Sequence, residues 1–177
     1  MADVKHGVIP GKKDVELGEE LLKIDDLSVY YISRESTSKA VNHVSLTINK
    51  GETLGLVGET GAGKTTIALS ILRLLDSPPG KLVGGTIEYK GMDIYRLKKR
   101  EMRQIRGFEI SMIFQDPMTA LNPVDTVGEQ ITEVIRLHRQ CSRMEARKLA
   151  GDMMETVGIP RERYDEYPHQ FSGGMIQ

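Results

Sequence analysis

The string Gly58-Glu59-Thr60-Gly61-Ala62-Gly63-Lys64-Thr65 constrains this chain more than any other feature. It fits G-x-x-x-x-G-K-[ST] at every fixed position, and its flanks fit as well. Thr53 to Val57 is a short, uniformly apolar run, as expected of a strand buried on both faces. The pattern after the loop predicts a helix from about Lys64 to Leu75, with Ile67, Leu69, Ile71, Leu72 and Leu75 to bury. Glycines let the backbone turn with positive φ and bring amides close to an anion. A helix N-terminus adds unpaired N–H groups and the positive end of its dipole. Lys64 supplies a point charge for β- and γ-phosphates, and the Thr65 hydroxyl suits Mg²⁺, a hard cation that prefers oxygen. The firmest chemical expectation is ATP or GTP with Mg²⁺.

Other functions are excluded by composition. The formal net charge is -1, so nothing in the overall balance points to nucleic acid. Trp is absent and aromatics are 5%, too few for a stacking platform. Arg96, Lys98, Lys99, Arg100, Arg103 and Arg106 read as a solvated basic helix face. Cys141 is the only cysteine, which suits a reducing cytosol. His138, His169 and Cys141 lack the spacing of a zinc site. No apolar run approaches the roughly 20 residues that cross a bilayer.

Along the chain, residues 1–20 read as a flexible polar tail. Leu22, Ile24, Leu27, Val29 and Tyr31 suggest a strand with imperfect alternation. Arg34 to Lys39 is a polar turn, and Val41, Val44, Leu46 and Ile48 form a second strand. Thr86 to Tyr89 is a third, turned by Lys90-Gly91. Ile110 to Phe114 is a further short apolar strand, closed by Gln115-Asp116-Pro117. Helices are expected over about 127–139 and 142–157, with Thr126 and Ser142 as N-caps and Glu129 and Glu145 as capping-box partners.

Phosphate loops serve many unrelated activities, so the rest of the chain must narrow the reading. Phe171-Ser172-Gly173-Gly174-Met175-Ile176-Gln177 resembles the ABC signature L-S-G-G-Q-x-Q, with Phe171 for Leu and Met175 for Gln. Ile113-Phe114-Gln115-Asp116-Pro117 resembles the ABC Q-loop. The stretch from Met112 to Glu129, with Tyr167-Pro168-His169-Gln170, looks like the dipeptide, oligopeptide and nickel importer branch. The resemblance runs from about Leu21 to Gln177.

The resemblance implies an α/β P-loop NTPase, the ABC-type nucleotide-binding domain. An antiparallel β region would come first, with a helical subdomain at about 118–177 and truncation before the second half of the core sheet. ATP and Mg²⁺ would be held by Gly58, Glu59, Thr60, Gly61, Ala62, Gly63, Lys64, Thr65 and Thr66. Gln115 would reach the metal, and Tyr31 would stack on adenine. Lys64 and Gln115 would be the catalytic side chains, while Ser172, Gly173 and Gly174 would complete the site of a second, head-to-tail ATP-binding subunit. The implied partners are that subunit, transmembrane permease subunits and, indirectly, an extracytoplasmic solute-binding protein. The implied location is the cytoplasmic face of the cell membrane. The family's apolar strand ending Asp-Glu does not occur in the 177 residues, so the chain is expected to bind ATP without turning it over. A DNA- or ribosome-associated ABC ATPase and an inert nucleotide-binding module remain as alternatives.

Overall fold

The structure, a computed structural model, describes residues 18–115 and 120–176 and the backbone of Asp3–Lys5. It divides into two compact units, Met1–Met102 and Arg103–Gln177.

The first unit is built on an antiparallel sheet. Strand β2 (Glu20–Ile32) pairs with β3 (Thr37–Asn49) on one side and β5 (Gly80–Tyr89) on the other; β6 (Met92–Asp93) closes the edge. Leu22, Ile24, Leu27 and Val29 of β2, Val41 and Leu46 of β3 and Ile87 of β5 form its core. The imperfect alternation has a physical cause. A residue in the left-handed region interrupts each long strand: Asp26 (φ 52), His43 (φ 55) and Gly85 (φ 82). These bulges shift the side-chain phase, so the buried set on β2 steps from Ile24 to Leu27. Nearby serines take the displaced amides: Asp26 N–H donates to Ser45 Oγ at 2.9 Å and His43 N–H to Ser28 Oγ at 3.1 Å. Gly85 is obligatory there, because a Cβ would lie 2.5 Å from the Asp25 and Asp26 carbonyl oxygens.

Asp3–Lys5 (β1) lies antiparallel to β4 (Gly55–Val57). The expected double-sided burial of Thr53–Val57 is not found: β4 is three residues long and Val57 is 54% exposed. A two-stranded ribbon cannot enclose both faces of a strand.

Helix α1 spans Lys64–Ile71 and stops four residues short of the expected end. Arg73 adopts φ 51, donates its N–H to Ser70 O, and is followed by Leu74 N–H donating to Leu69 O. This double closure ends a helix, normally with Gly at the left-handed position. Arg73 holds that conformation while its Nη1 donates to the Ile94 and Leu97 carbonyls at 3.1 and 2.7 Å. The basic segment expected as one helix is split into a 3₁₀ turn, Ile94–Arg96, and α2, Lys99–Ile105.

The second unit packs α3 (Val127–His138) against α4 (Arg143–Thr156). The core is Val127, Ala150, Met154, Ile159, Tyr164 and Phe171. The Ser142/Glu145 capping box forms as expected. At α3 only half of the expected box forms: Thr126 Oγ1 accepts from Glu129 N–H, while the Glu129 carboxylate faces Arg143 and Arg147. Two guanidiniums outcompete one neutral amide for that carboxylate. The strand expected at Ile110–Phe114 is absent. A single parallel bridge joins Arg106 to Ile110, and Ile113 is 80% exposed. Among the described residues no neighbouring strand takes the N–H and C=O groups of Met112–Phe114, and a strand needs such a neighbour. Within the tail expected over residues 1–20, Asp3–Lys5 is a strand and Glu20 begins β2; residues 6–17 lie outside the described set, as do 116–119 and Gln177. The second unit begins at Arg103, earlier than the helical subdomain expected at about 118.

Candidate functional site

The phosphate loop runs from β4 into α1 over Gly58–Gly63. Gly63 is the N-cap of α1 with φ 87 and gives no side-chain cap. Its conformation and its surroundings both demand glycine: a Cβ would sit 2.2 Å from the Ala40 carbonyl oxygen on β3. Gly61 also has positive φ, 83, with open space around it. The first bond of the helix is Ile67 N–H to Gly63 O, and Ala62 N–H donates to Glu59 O. The N–H groups of Gly61, Gly63, Lys64, Thr65 and Thr66 therefore donate to nothing among the described residues. Uncapped amides on both sides of Ala62, at a helix start, form a concave field of positive partial charge, which is the chemistry of an anion cradle.

Lys64 completes the cradle. Its Nζ donates to the Gly58 and Glu59 carbonyls at 2.6 and 2.7 Å, which folds the side chain back across the loop. An ammonium so placed can exchange carbonyl oxygens for phosphate oxygens without unfolding the loop. Thr60 and Thr65 are exposed, so the Thr65 hydroxyl is open to a metal ion; Thr66 is buried.

Tyr30 and Tyr31 face opposite sides of β2, as strand alternation requires. Tyr30 Oη donates to Asn42 Oδ1, and Lys39 Nζ lies 5.5 Å from its ring centre. Tyr31 turns toward α1, with its hydroxyl 3.4 Å from Thr66 Oγ1. The structure thus brings Tyr31 to the residue that follows the loop's Lys64-Thr65 pair. A cleft of about 290 Å³ lies beside the loop, between Lys39–Asn42 of β3 and Gly61-Ala62. Ala40 had no signal in the sequence, because it acts only through its backbone carbonyl.

Gln115 lies in the second unit as an exposed bend residue; Asp116 and Pro117, which belong to the same expected motif, are outside the described residues. The Ser172-Gly173-Gly174 segment is also in the second unit. Helix α5 (Gly173–Ile176) starts with Met175 and Ile176 N–H donating to the Ser172 carbonyl. The Ser172 hydroxyl makes no capping bond among the described residues. Neither glycine has positive φ, and a Cβ on either would meet nothing within 4 Å. Among the described residues no neighbour requires glycine at either position, so the backbone here is open to close approach.

Phe171 seats this segment in the core. Over its ring lies the Arg163 guanidinium, 4.3 Å from the ring centre. The same guanidinium meets Glu166 Oε2 at 2.6 Å, Gln170 O at 2.9 Å and Met175 Sδ at 3.3 Å. The Glu166 carboxylate raises the Arg163 pKa above its ordinary value, so the group stays charged. Sequence reasoning passed over Arg163, one of several arginines in a charged stretch.

Comparison with known proteins identifies the family and the fold. The family described as ABC transporter matches residues 41–177. A probable peptide ABC transporter ATP-binding protein of Sinorhizobium fredii is 47% identical over 159 residues, covering 89% of this chain and 48% of the relative. The dipeptide transport ATP-binding protein DppD of Bacillus subtilis is 48% identical over 161 residues, 90% of this chain and 48% of the relative. The oligopeptide transport ATP-binding protein OppD of Bacillus subtilis is 44% identical over 159 residues, 89% of this chain and 44% of the relative. The chain spans about half the length of the curated relatives it matches. Among solved structures, the dimeric post-hydrolysis state of the ATP-binding cassette MJ0796, bound to ADP and Pi, superposes with a TM-score of 0.71 at 25% identity, covering 88% of this chain and 65% of that one. An uncapped phosphate loop, an open Ser-Gly-Gly turn and a family match over residues 41–177 agree: the chain has the ABC nucleotide-binding fold and belongs to the ABC transporter family.

Proposed function

We propose that this chain is the nucleotide-binding part of a subunit that couples ATP binding and hydrolysis to import of dipeptides or oligopeptides. One observation carries the nucleotide reading: amides with no partner among the described residues and the Lys64 ammonium converge on one loop. Among the described residues only the Gly58 and Glu59 carbonyls answer the ammonium, and a triphosphate supplies the anion that both the amides and Lys64 suit. The amides of Gly61, Gly63, Lys64, Thr65 and Thr66 hold the phosphates, and Lys64 leaves its two carbonyls for the β- and γ-phosphoryl oxygens. Gly58, Glu59, Thr60 and Ala62 give the loop its span. Tyr31 packs against the adenine. The Thr65 hydroxyl would hold Mg²⁺, which when bound would neutralise phosphate charge.

Ser172, Gly173 and Gly174 present their open backbone to the triphosphate of a second, facing ATP-binding subunit. The relatives named above are peptide transport proteins, and that supports peptides as the cargo. Permease subunits would carry the solute across, with a solute-binding protein delivering it from outside. The reading places the subunit against the permease on the cytoplasmic face; among the described residues no helix is long and apolar enough to cross a membrane. Titration with a fluorescent ATP analogue tests the nucleotide reading. Saturable binding, weakened at least about tenfold by Lys64→Ala, supports it; equal binding by both proteins contradicts it.

A further inference from the structure

The signature-like segment departs from L-S-G-G-Q at Phe171 and Met175. Those are the two side chains of the segment that Arg163 touches. The guanidinium covers the Phe171 ring and donates to the Met175 thioether. Its remaining donors go to Glu166 and to the Gln170 carbonyl immediately before Phe171. Glu166 is itself anchored, since its carbonyl accepts from Val127 N–H at the start of α3. One planar cation thus fastens both ends of the Ser172-Gly173-Gly174 turn to the α3 entrance.

From this arrangement we propose that Arg163 is a positioning residue. It fixes the turn so that the exposed glycine backbone meets the facing subunit's triphosphate in one geometry. The turn needs such a device. Nothing lies within 4 Å of where a Cβ would be on either glycine, so the turn is held through its flanks, Phe171 in the core before it and Met175 and Ile176 against that core after it. Leu and Gln at positions 171 and 175 would offer neither a ring face nor a soft acceptor, so Phe171 and Met175 belong with Arg163 as one unit. The proposal rests on the reading of Ser172–Gly174 as a surface that completes a partner's nucleotide site.

The test uses the full-length protein with Arg163→Ala, Arg163→Lys and the double variant Phe171→Leu/Met175→Gln. Three quantities are read: affinity for a fluorescent ATP analogue, ATP-driven pairing of subunits by sedimentation, and kcat for ATP. Arg163→Ala is expected to leave nucleotide affinity within about twofold, weaken pairing at least about fivefold and lower kcat about tenfold. Lys is expected not to rescue, because an ammonium cannot fork to Glu166 and the Gln170 carbonyl while lying on a ring. In the Phe171→Leu/Met175→Gln background, Arg163→Ala is expected to cost clearly less than in the wild type, since the ring face and the thioether are gone while Glu166 and the Gln170 carbonyl remain. The same cost in both backgrounds, full rescue by Lys, or an equal fall in all three quantities would overturn the proposal. Wild-type protein that binds ATP and never pairs sinks the partner-site reading and this proposal together. Wild-type pairing that every variant matches sinks this proposal alone.

Discussion

The Tyr31 hydroxyl lies 3.4 Å from Thr66 Oγ1, across 35 residues of sequence. That relationship joins the antiparallel sheet to the first turn of α1, beside the phosphate loop. If the ring serves adenine, its face matters and its hydroxyl does not. Tyr31→Phe should keep adenine-nucleotide affinity within about twofold, and Tyr31→Ala should weaken it roughly tenfold, the ordinary scale for loss of one stacked base. Fluorescent-nucleotide titration reads both; equal loss in the two variants would assign the role to the hydroxyl.

Glycines of the two motifs should behave oppositely. Gly63→Ala forces a Cβ onto the Ala40 carbonyl at φ 87, so stability should fall by about 2 kcal/mol or more in urea unfolding. Gly173→Ala and Gly174→Ala meet open space and should leave unfolding within about 0.5 kcal/mol of wild type. Their effect should appear only in ATP-driven pairing.

The second unit contains a buried polar pair. Thr132 Oγ1 and Tyr164 Oη are 2.5 Å apart, and the Tyr164 ring packs where Gly128 leaves room. Tyr164→Phe strands the Thr132 hydroxyl and should cost about 1–3 kcal/mol. Thr132→Val with Tyr164→Phe removes both polar atoms and should recover most of that loss. Gly128→Ala would put a Cβ 2.2 Å from the ring and should cost at least as much as Tyr164→Phe. Denaturant midpoints decide among these.

Acid should loosen α4. Glu145 accepts from the Ser142 hydroxyl and backbone N–H, which lowers its pKa below the ordinary 4.5. A carboxylate with a lowered folded pKa stabilises the fold above the unfolded value. That contribution is lost as pH falls through 4.5 and below. Wild type and Glu145→Gln should therefore differ in urea midpoint at neutral pH and converge in acid. A gap that stays constant down through that range would contradict the assignment.

How much was legible follows from where the physics is local. The phosphate loop, the Ser142 cap and the Lys90-Gly91 turn are short-range devices, and the residues that make them stand next to one another. The bulges at Asp26 and His43 were visible only as broken alternation, because a register shift leaves no residue-type signature. The α1 stop at Arg73 was hidden: its left-handed position, where glycine is the usual residue, carries a cation held by distant carbonyls. Ile110–Phe114 reads as a strand by composition, yet strand formation depends on a pairing partner that composition does not reveal. Arg163 was illegible for the same reason, since its four targets lie from three to twelve residues away and only the fold assembles them.

The most direct measurement is equilibrium binding of ATP to this chain and to Lys64→Ala, with and without Mg²⁺. The account predicts saturable binding by the wild type, strengthened by Mg²⁺ and weakened at least about tenfold by the substitution. Absent binding, or binding indifferent to Lys64, would contradict it.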